Sequence, residues 1–218
     1  MSAAADIIAP LWLSLQLASM TTVILLLICL PLGWLLAQAH GRWRPFMEAF
    51  LTLPLVLPPT VLGFYLLLLL GPKGPFAPLH LVFSFWGLVV GSVVFSLPFV
   101  LRPVQSAFEA IPQSLLECAA SLGTGPWDRF AALAVPLSRR GIASAAILGF
   151  AHTLGEFGVV LMIGGDIAGK TRVASIAIFD AVERLDFTTA HVMSAGLVAF
   201  AFAVLLILSW LNRRGAGS

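Results

Sequence analysis

The feature that most restricts this chain is its lack of charge over long distances. No Asp, Glu, Lys or Arg occurs over residues 7–39, 49–72, 74–101 or 187–212, and Glu156 alone interrupts 141–165. A helix rises 1.5 Å per residue, so about 20 apolar residues cross a hydrocarbon core of roughly 30 Å, and every stretch is long enough. In lipid each backbone N–H and C=O must be satisfied within the chain, so the stretches read as helices. The expected fold is all-α and integral to a membrane, with five spans at about 11–38, 46–70, 80–102, 141–164 and 189–211. Composition agrees: 60% of the 218 residues are hydrophobic and 10% are charged, whereas a soluble domain carries about 25% charged residues.

The connections are too short to bury a separate soluble core, so residues 1–218 are expected to form one membrane domain. A formal charge of +2, with basic residues scattered, argues against nucleic-acid binding. The first stretch lacks a basic segment before it and far exceeds a signal-peptide core, so it is expected to be retained. Cys29 falls inside that span and Cys118 in a polar connection, which places them at different depths and argues against a disulfide. Lys and Arg near span ends set orientation. Arg42, Arg44, Arg102, Arg129, Arg139, Arg140, Arg213 and Arg214 fall on one side of a five-span chain, and Lys73, Lys170, Arg172 and Arg184 on the other. The richer side is expected to be the cytoplasm, with the N-terminus outside and the C-terminus inside.

The longest cytoplasmic connection, 102–140, is punctuated as two short helices. Pro112 suits the first turn of one helix and Gly123 its stop; Thr124 or Gly125 suits the cap of a second, with Pro126 in its first turn and Asp128 near its positive end. Leu115, Leu116, Ala119, Leu122, Trp127, Phe130 and Leu133 give this pair more apolar surface than a solvated loop needs. They either pack onto the chain's own spans or meet a partner. Prolines mark another unusual region: Pro54, Pro58 and Pro59 lie in the second span, Pro31 in the first, and Pro98 and Pro103 around the end of the third. Each removes a backbone donor, and such breaks are tolerated at membrane depth only where protein or a water-filled cavity satisfies the freed carbonyls. A translocation path beside Pro54, Pro58, Pro59 and Thr60, with Glu156 assigned to it, is expected, with plain kinked packing as the alternative.

Glu156 is the only carboxylate deep in an apolar stretch, and its insertion costs about 2.5–3.5 kcal/mol. Candidate partners are His152, four residues earlier on the same helical face, and a Ser or Thr of another helix. A buried polar latch between helices is the favoured reading, a proton relay the alternative, and two ligands are too few for a metal. Residues 164–171 read G-G-D-I-A-G-K-T and satisfy the phosphate-binding pattern G-x-x-x-x-G-K-T. That motif needs a buried strand before it and access to cytosolic nucleotide. Here it follows a span on the outer side, so it is read as a glycine-rich exit from the fourth span.

Glu117, Cys118, Ala119 and Gly123, followed nine residues on by Leu133 and then Pro136, resemble the E-A-A loop of ABC importer permeases at the spacing of that family. Cys118, Leu133 and Val135 are small or apolar exchanges that keep its register. Three further segments, 53–61, 155–158 and 169–172 followed by 176–182, are similar to those of molybdate permeases; Phe179 stands where such permeases often have Tyr, and 173–175 read Val-Ala-Ser where Thr-Leu-Pro is frequent. The resemblance covers about 15–211 and implies a type I ABC importer permease with coupling helices over 112–136. It implies a homodimer, two cytoplasmic ATPase subunits that bind ATP and Mg, an extracytoplasmic oxyanion-binding protein, and no cofactor or catalysis on this chain. Molybdate is the implied substrate, with tungstate, sulfate and thiosulfate as neighbours in pattern. A proton-coupled secondary transporter using Glu156 and His152 is the rival class, which has no use for an ATPase dock.

Overall fold

In the computed structural model the backbone is described for residues 3–39 and 41–213, and side chains for 7–39 and 41–207. The side chains of Arg213 and Arg214, two of the orientation-setting cations, lie outside the described residues. The helices are α1 (Ala3–Gln38), α2 (Arg44–Val56), α3 (Pro59–Leu70), α4 (Phe85–Glu109), α5 (Gln113–Ser121), α6 (Pro126–Leu137), α7 (Arg139–Leu154), α8 (Gly158–Gly164), α9 (Ala174–Glu183) and α10 (Phe187–Arg213). Among the described residues there is no strand. Three of these helices are long and apolar enough to cross a membrane unbroken, over Ile7–Gln38, Phe85–Glu109 and Phe187–Ile207.

Contacts along α4 fix the direction of its neighbours. Leu17 of α1 clusters with Leu88 and Val89, Cys29 Sγ lies 4.0 Å from the Leu97 carbonyl, and a Cβ on Gly33 would sit 2.9 Å from Val104. Positions rise together, so α1 and α4 run parallel. Two parallel spans require a return crossing between them, and the bent pair α2–α3 has the length and apolar content for it. Against α7 the order reverses: Gly141 packs on Ala107, Gly149 on Val100, and the Thr153 and Ser96 hydroxyls are 3.1 Å apart. The reversed order continues into α8, where Val159 and Ile163 pack on Gly91, and Gly164 on Leu88. From Ala107 to Leu88 is 19 residues of α4, about 28 Å of helix, close to a hydrocarbon thickness. α7 and α8 together therefore cover the length of one crossing.

The expected spans are thus corrected in detail. The stretch 46–70 is two helices meeting at 108°. Pro58 and Pro59 remove two donors in succession, and Leu57 and Pro58 take extended ψ values of 137° and 134°. The stretch 141–164 is interrupted at 155–157, where the Gly155 N–H turns back to the Ala151 carbonyl and Glu156 N–H to Thr153. The third span runs 85–109 instead of 80–102, because Ser84 caps α4 by accepting from the Gly87 N–H (3.1 Å) and its far end is held by polar bonds to α2. There Gln105 Nε2 donates to Glu48 (2.8 Å) and Glu109 (3.0 Å), and Arg44 pairs with the same two carboxylates. α9 lies where only a connection was expected; Ala174, Ile176, Ala177 and Ala181 form its buried stripe. Ser14 of α1 accepts the Ala174 N–H at 2.7 Å and fixes its start. Cys29 is buried and Cys118 exposed, both unpaired.

Candidate functional site

Both interrupted spans break at the same depth, and the breaks touch. α3 and α8 run side by side: a Cβ on Gly158 would meet Pro59 at 2.7 Å and the Thr60 nitrogen at 3.5 Å, and one on Gly63 would meet Met162 at 2.8 Å. Only glycine allows backbones this close. Along α4 the junction lies between Gly91, which touches Val159, and Ser96, which touches Thr153. That is within about 10 Å of the middle of the 28 Å crossing. Pro58, Pro59 and Thr60 are exposed on one side of it, and Glu156 is buried on the other, 4% exposed. Pro54 lies one turn back, inside α2. Two discontinuous helices meeting near mid-membrane are the arrangement in which broken backbone lines a path.

The pairing expected of Glu156 is different in the structure. α7 ends at Leu154, so His152 and Glu156 do not share a helical face. The His152 ring stacks on Phe99 at 3.7 Å and its Nδ1 lies 2.9 Å from Ser96 Oγ. Latching falls to the Glu156 main chain, whose carbonyl accepts from Ser175 Oγ at 2.6 Å across to α9. The Ser92 hydroxyl of α4 is the polar side chain that faces the Glu156 carboxyl group, without a well-formed hydrogen bond to it, and Thr21 Oγ1 is also buried and unpaired. Among the described residues no group of three or more His, Cys, Asp or Glu could hold a metal ion.

At the opposite end of α4 stands the helix pair α5–α6. Pro112 is the N-cap of α5, one position earlier than expected. α5 stops at Gly123, φ +82°, with Gly123 N–H bonded to the Ala120 carbonyl and Thr124 N–H to that of Ala119. Thr124 Oγ1 also donates to the Ala119 carbonyl, at 2.6 Å. This two-bond, left-handed stop requires glycine's freedom. Gly125 caps α6, Pro126 opens it, and its middle, Arg129–Ala134, is π-helical.

One face of the pair is anchored: Leu116, Phe130 and Ala134 are buried, and Phe130 packs on Trp34 and Phe108 at centroid distances of 6.1 Å. Leu133 packs against that core, and the Ser138 hydroxyl donates to the Ala107 carbonyl at 3.1 Å. The other face is open: Glu117, Cys118 and Pro136 are exposed, Leu122 is 80% and Trp127 70% exposed. Ala119 is half-buried between them. The apolar surface therefore divides between the chain's own core and an outward face. Sequence reasoning did not single out Trp34, Phe108 or Ser138 as the mount, nor the Arg44–Glu48–Gln105–Glu109 network; two i, i+4 polar pairs at span ends were its legible signal.

The G-x-x-x-x-G-K-T segment is a closed turn. The N–H groups of Lys170, Thr171 and Arg172 all point to the Ile167 carbonyl, and the buried Thr171 hydroxyl donates to the Gly164 carbonyl at 2.8 Å. These N–H groups are consumed, so they form no cradle for a phosphate. Arg172 is clamped by Asp166 and reaches Asp180.

The family described as binding-protein-dependent transport system inner membrane component matches residues 29–214. The molybdenum transport system permease protein ModB of Azotobacter vinelandii is 52% identical, with 96% of each chain covered. The probable sulfate transport system permease protein cysT of Zygnema circumcarinatum is 28% identical over 89% of this chain and 69% of its own. Among solved structures, the MetNI methionine ABC transporter in inward-facing conformations superposes with a TM-score of 0.77 at 18% identity, covering 98% of this chain and 99% of that one.

Proposed function

The chain belongs to the binding-protein-dependent transport system inner membrane components, and from that premise we propose that it is the permease subunit of an ATP-driven importer moving molybdate across a bacterial cytoplasmic membrane. The observation that carries the substrate is the 52% identity, over nearly the whole of both chains, to a permease named for molybdenum transport. Relatives named for sulfate transport stand at 28–30%. The chain works as a homodimer with two cytoplasmic ATPase subunits, which hold ATP and Mg, and an extracytoplasmic oxyanion-binding protein. The open face of α5–α6, with Glu117, Cys118, Ala119, Gly123, Leu133 and Pro136, is the dock for an ATPase subunit. Its rigid mount on α1 and α4 lets motion of the dock reach the mid-membrane breaks.

A divalent oxyanion is costly to dehydrate, so a hydrated path with few fixed charges suits it better than a tight ionic site. The breaks provide such a path. Thr60 places its hydroxyl and N–H at the start of α3, where the helix dipole is positive and favours an anion. The test is uptake of radiolabelled molybdate by proteoliposomes holding the complete complex. Uptake is expected to require ATP and the binding protein, to survive a protonophore, and to be unaffected by excess sulfate; competition by sulfate would move the substrate to the runner-up.

Orientation follows from the Lys and Arg distribution. Single cysteines at Ala4 and Gly217, with Cys29 and Cys118 replaced, are expected to be labelled by an impermeant thiol reagent from outside and inside respectively. Labelling of both from one side of intact cells would overturn the five-crossing topology.

A further inference from the structure

A groove of about 870 Å³ runs between α1 and the segments 83–85 and 169–170. Its α1 wall extends from Trp12 to Val23, 11 residues, or about 16 Å of helix, half of a hydrocarbon core. Depth along it can be assigned, because Leu17 clusters with Leu88 and Val89 near the start of α4. Leu88 marks the edge of the crossing, so Trp12 stands about 8 Å outside that edge and Val23 about 9 Å inside it, within one leaflet. Chemistry changes in the same direction: Lys170 and Ser84 lie at the surface end, and Met20 and Val23 at the deep end. Lys170 is exposed and, among the described residues, has no ion pair or side-chain hydrogen bond; Asp166 is held by Arg172. The wall at Phe83 is fixed, its backbone in the left-handed region (φ +59°) and its N–H bonded to the Ile163 carbonyl at 3.0 Å.

We infer that this groove binds one anionic phospholipid of the leaflet on the Lys170 side, its phosphate against the Lys170 ammonium and an acyl chain along Met20 and Val23. A groove that enters one leaflet from its surface, with an apolar inner end and one unpaired cation at the surface end, is what such a lipid requires. A transmembrane helix of a second copy would have no need of a polar mouth. The inference stands whichever anion is transported.

Native mass spectrometry of the detergent-purified complex with added phosphatidylglycerol or phosphatidylethanolamine tests it. One phosphatidylglycerol per protomer is expected, with preference over phosphatidylethanolamine. Lys170→Gln is expected to weaken phosphatidylglycerol about fivefold, the effect of one cation near a lipid surface, and to erase that preference. Met20→Trp, at a partly exposed position that leaves the core untouched, is expected to exclude both lipids. Equal retention of the two lipids by the unsubstituted chain, or binding unchanged in both variants, would overturn the assignment. So would efficient disulfide formation between protomers through a cysteine at Ser19, which would place a second copy in the groove.

Discussion

Gly123→Val is expected to lower ATP-dependent transport and ATPase co-purification roughly 5–30-fold while leaving the chain inserted and paired. A side chain at φ +82° costs about 1–2 kcal/mol, more when β-branched, and that energy corresponds to such a factor in the population of the correct turn. Space is not the obstacle, because a Cβ on Gly123 would meet nothing within 4 Å. The whole penalty is conformational, and it falls on the two backbone bonds that end α5. Gly123→Asn, which tolerates the left-handed region, is therefore expected to keep most of the activity. Co-purification and ATP-dependent uptake in proteoliposomes read the effect. A valine variant that binds its ATPase and transports at the normal rate would remove α5–α6 as the dock.

Hydropathy made the long apolar stretches legible but not the shape of the helices in them. A bend of 108° leaves the apolar content of residues 46–70 unchanged; only the Pro58–Pro59 pair betrays it, through lost donors. At 155–157 the signal was weaker. Gly155 and Gly158 flank Glu156, yet a lone Gly is common in spans, and the close approach of Gly158 to Pro59 is tertiary. The polar extension of α4 past Leu101 was hidden for a similar reason: Arg102, Gln105 and Glu109 read as loop until α2 supplies Arg44 and Glu48. Local chemistry was clearer. The stop at Gly123 and the opening at Gly125–Pro126 follow from which residues tolerate which φ, so they were readable without neighbours. The π-helical middle of α6 had no sequence signature.

Glu156→Leu is expected to raise the thermal stability of the purified complex and yet lower transport at least about tenfold. A buried carboxyl without well-formed hydrogen bonds costs about 1–3 kcal/mol, and an apolar residue of similar size relieves that cost. If Glu156 served only to hold helices together, leucine would do so better, because the latch to α9 uses the main-chain carbonyl and survives the substitution. The loss of transport is expected if the carboxyl, kept at such a cost beside the touching breaks of two spans, is used in another state of the transport cycle. Glu156→Gln divides the possibilities: it keeps hydrogen bonding and discards the charge, so retained transport assigns the role to hydrogen bonding and lost transport assigns it to charge. Lower stability in the leucine variant with normal transport per folded complex would return Glu156 to a structural role. Uptake that needs a proton gradient and no ATP, abolished by Glu156→Gln, would overturn the importer reading, because an ATP-driven complex draws no energy from a proton on this side chain.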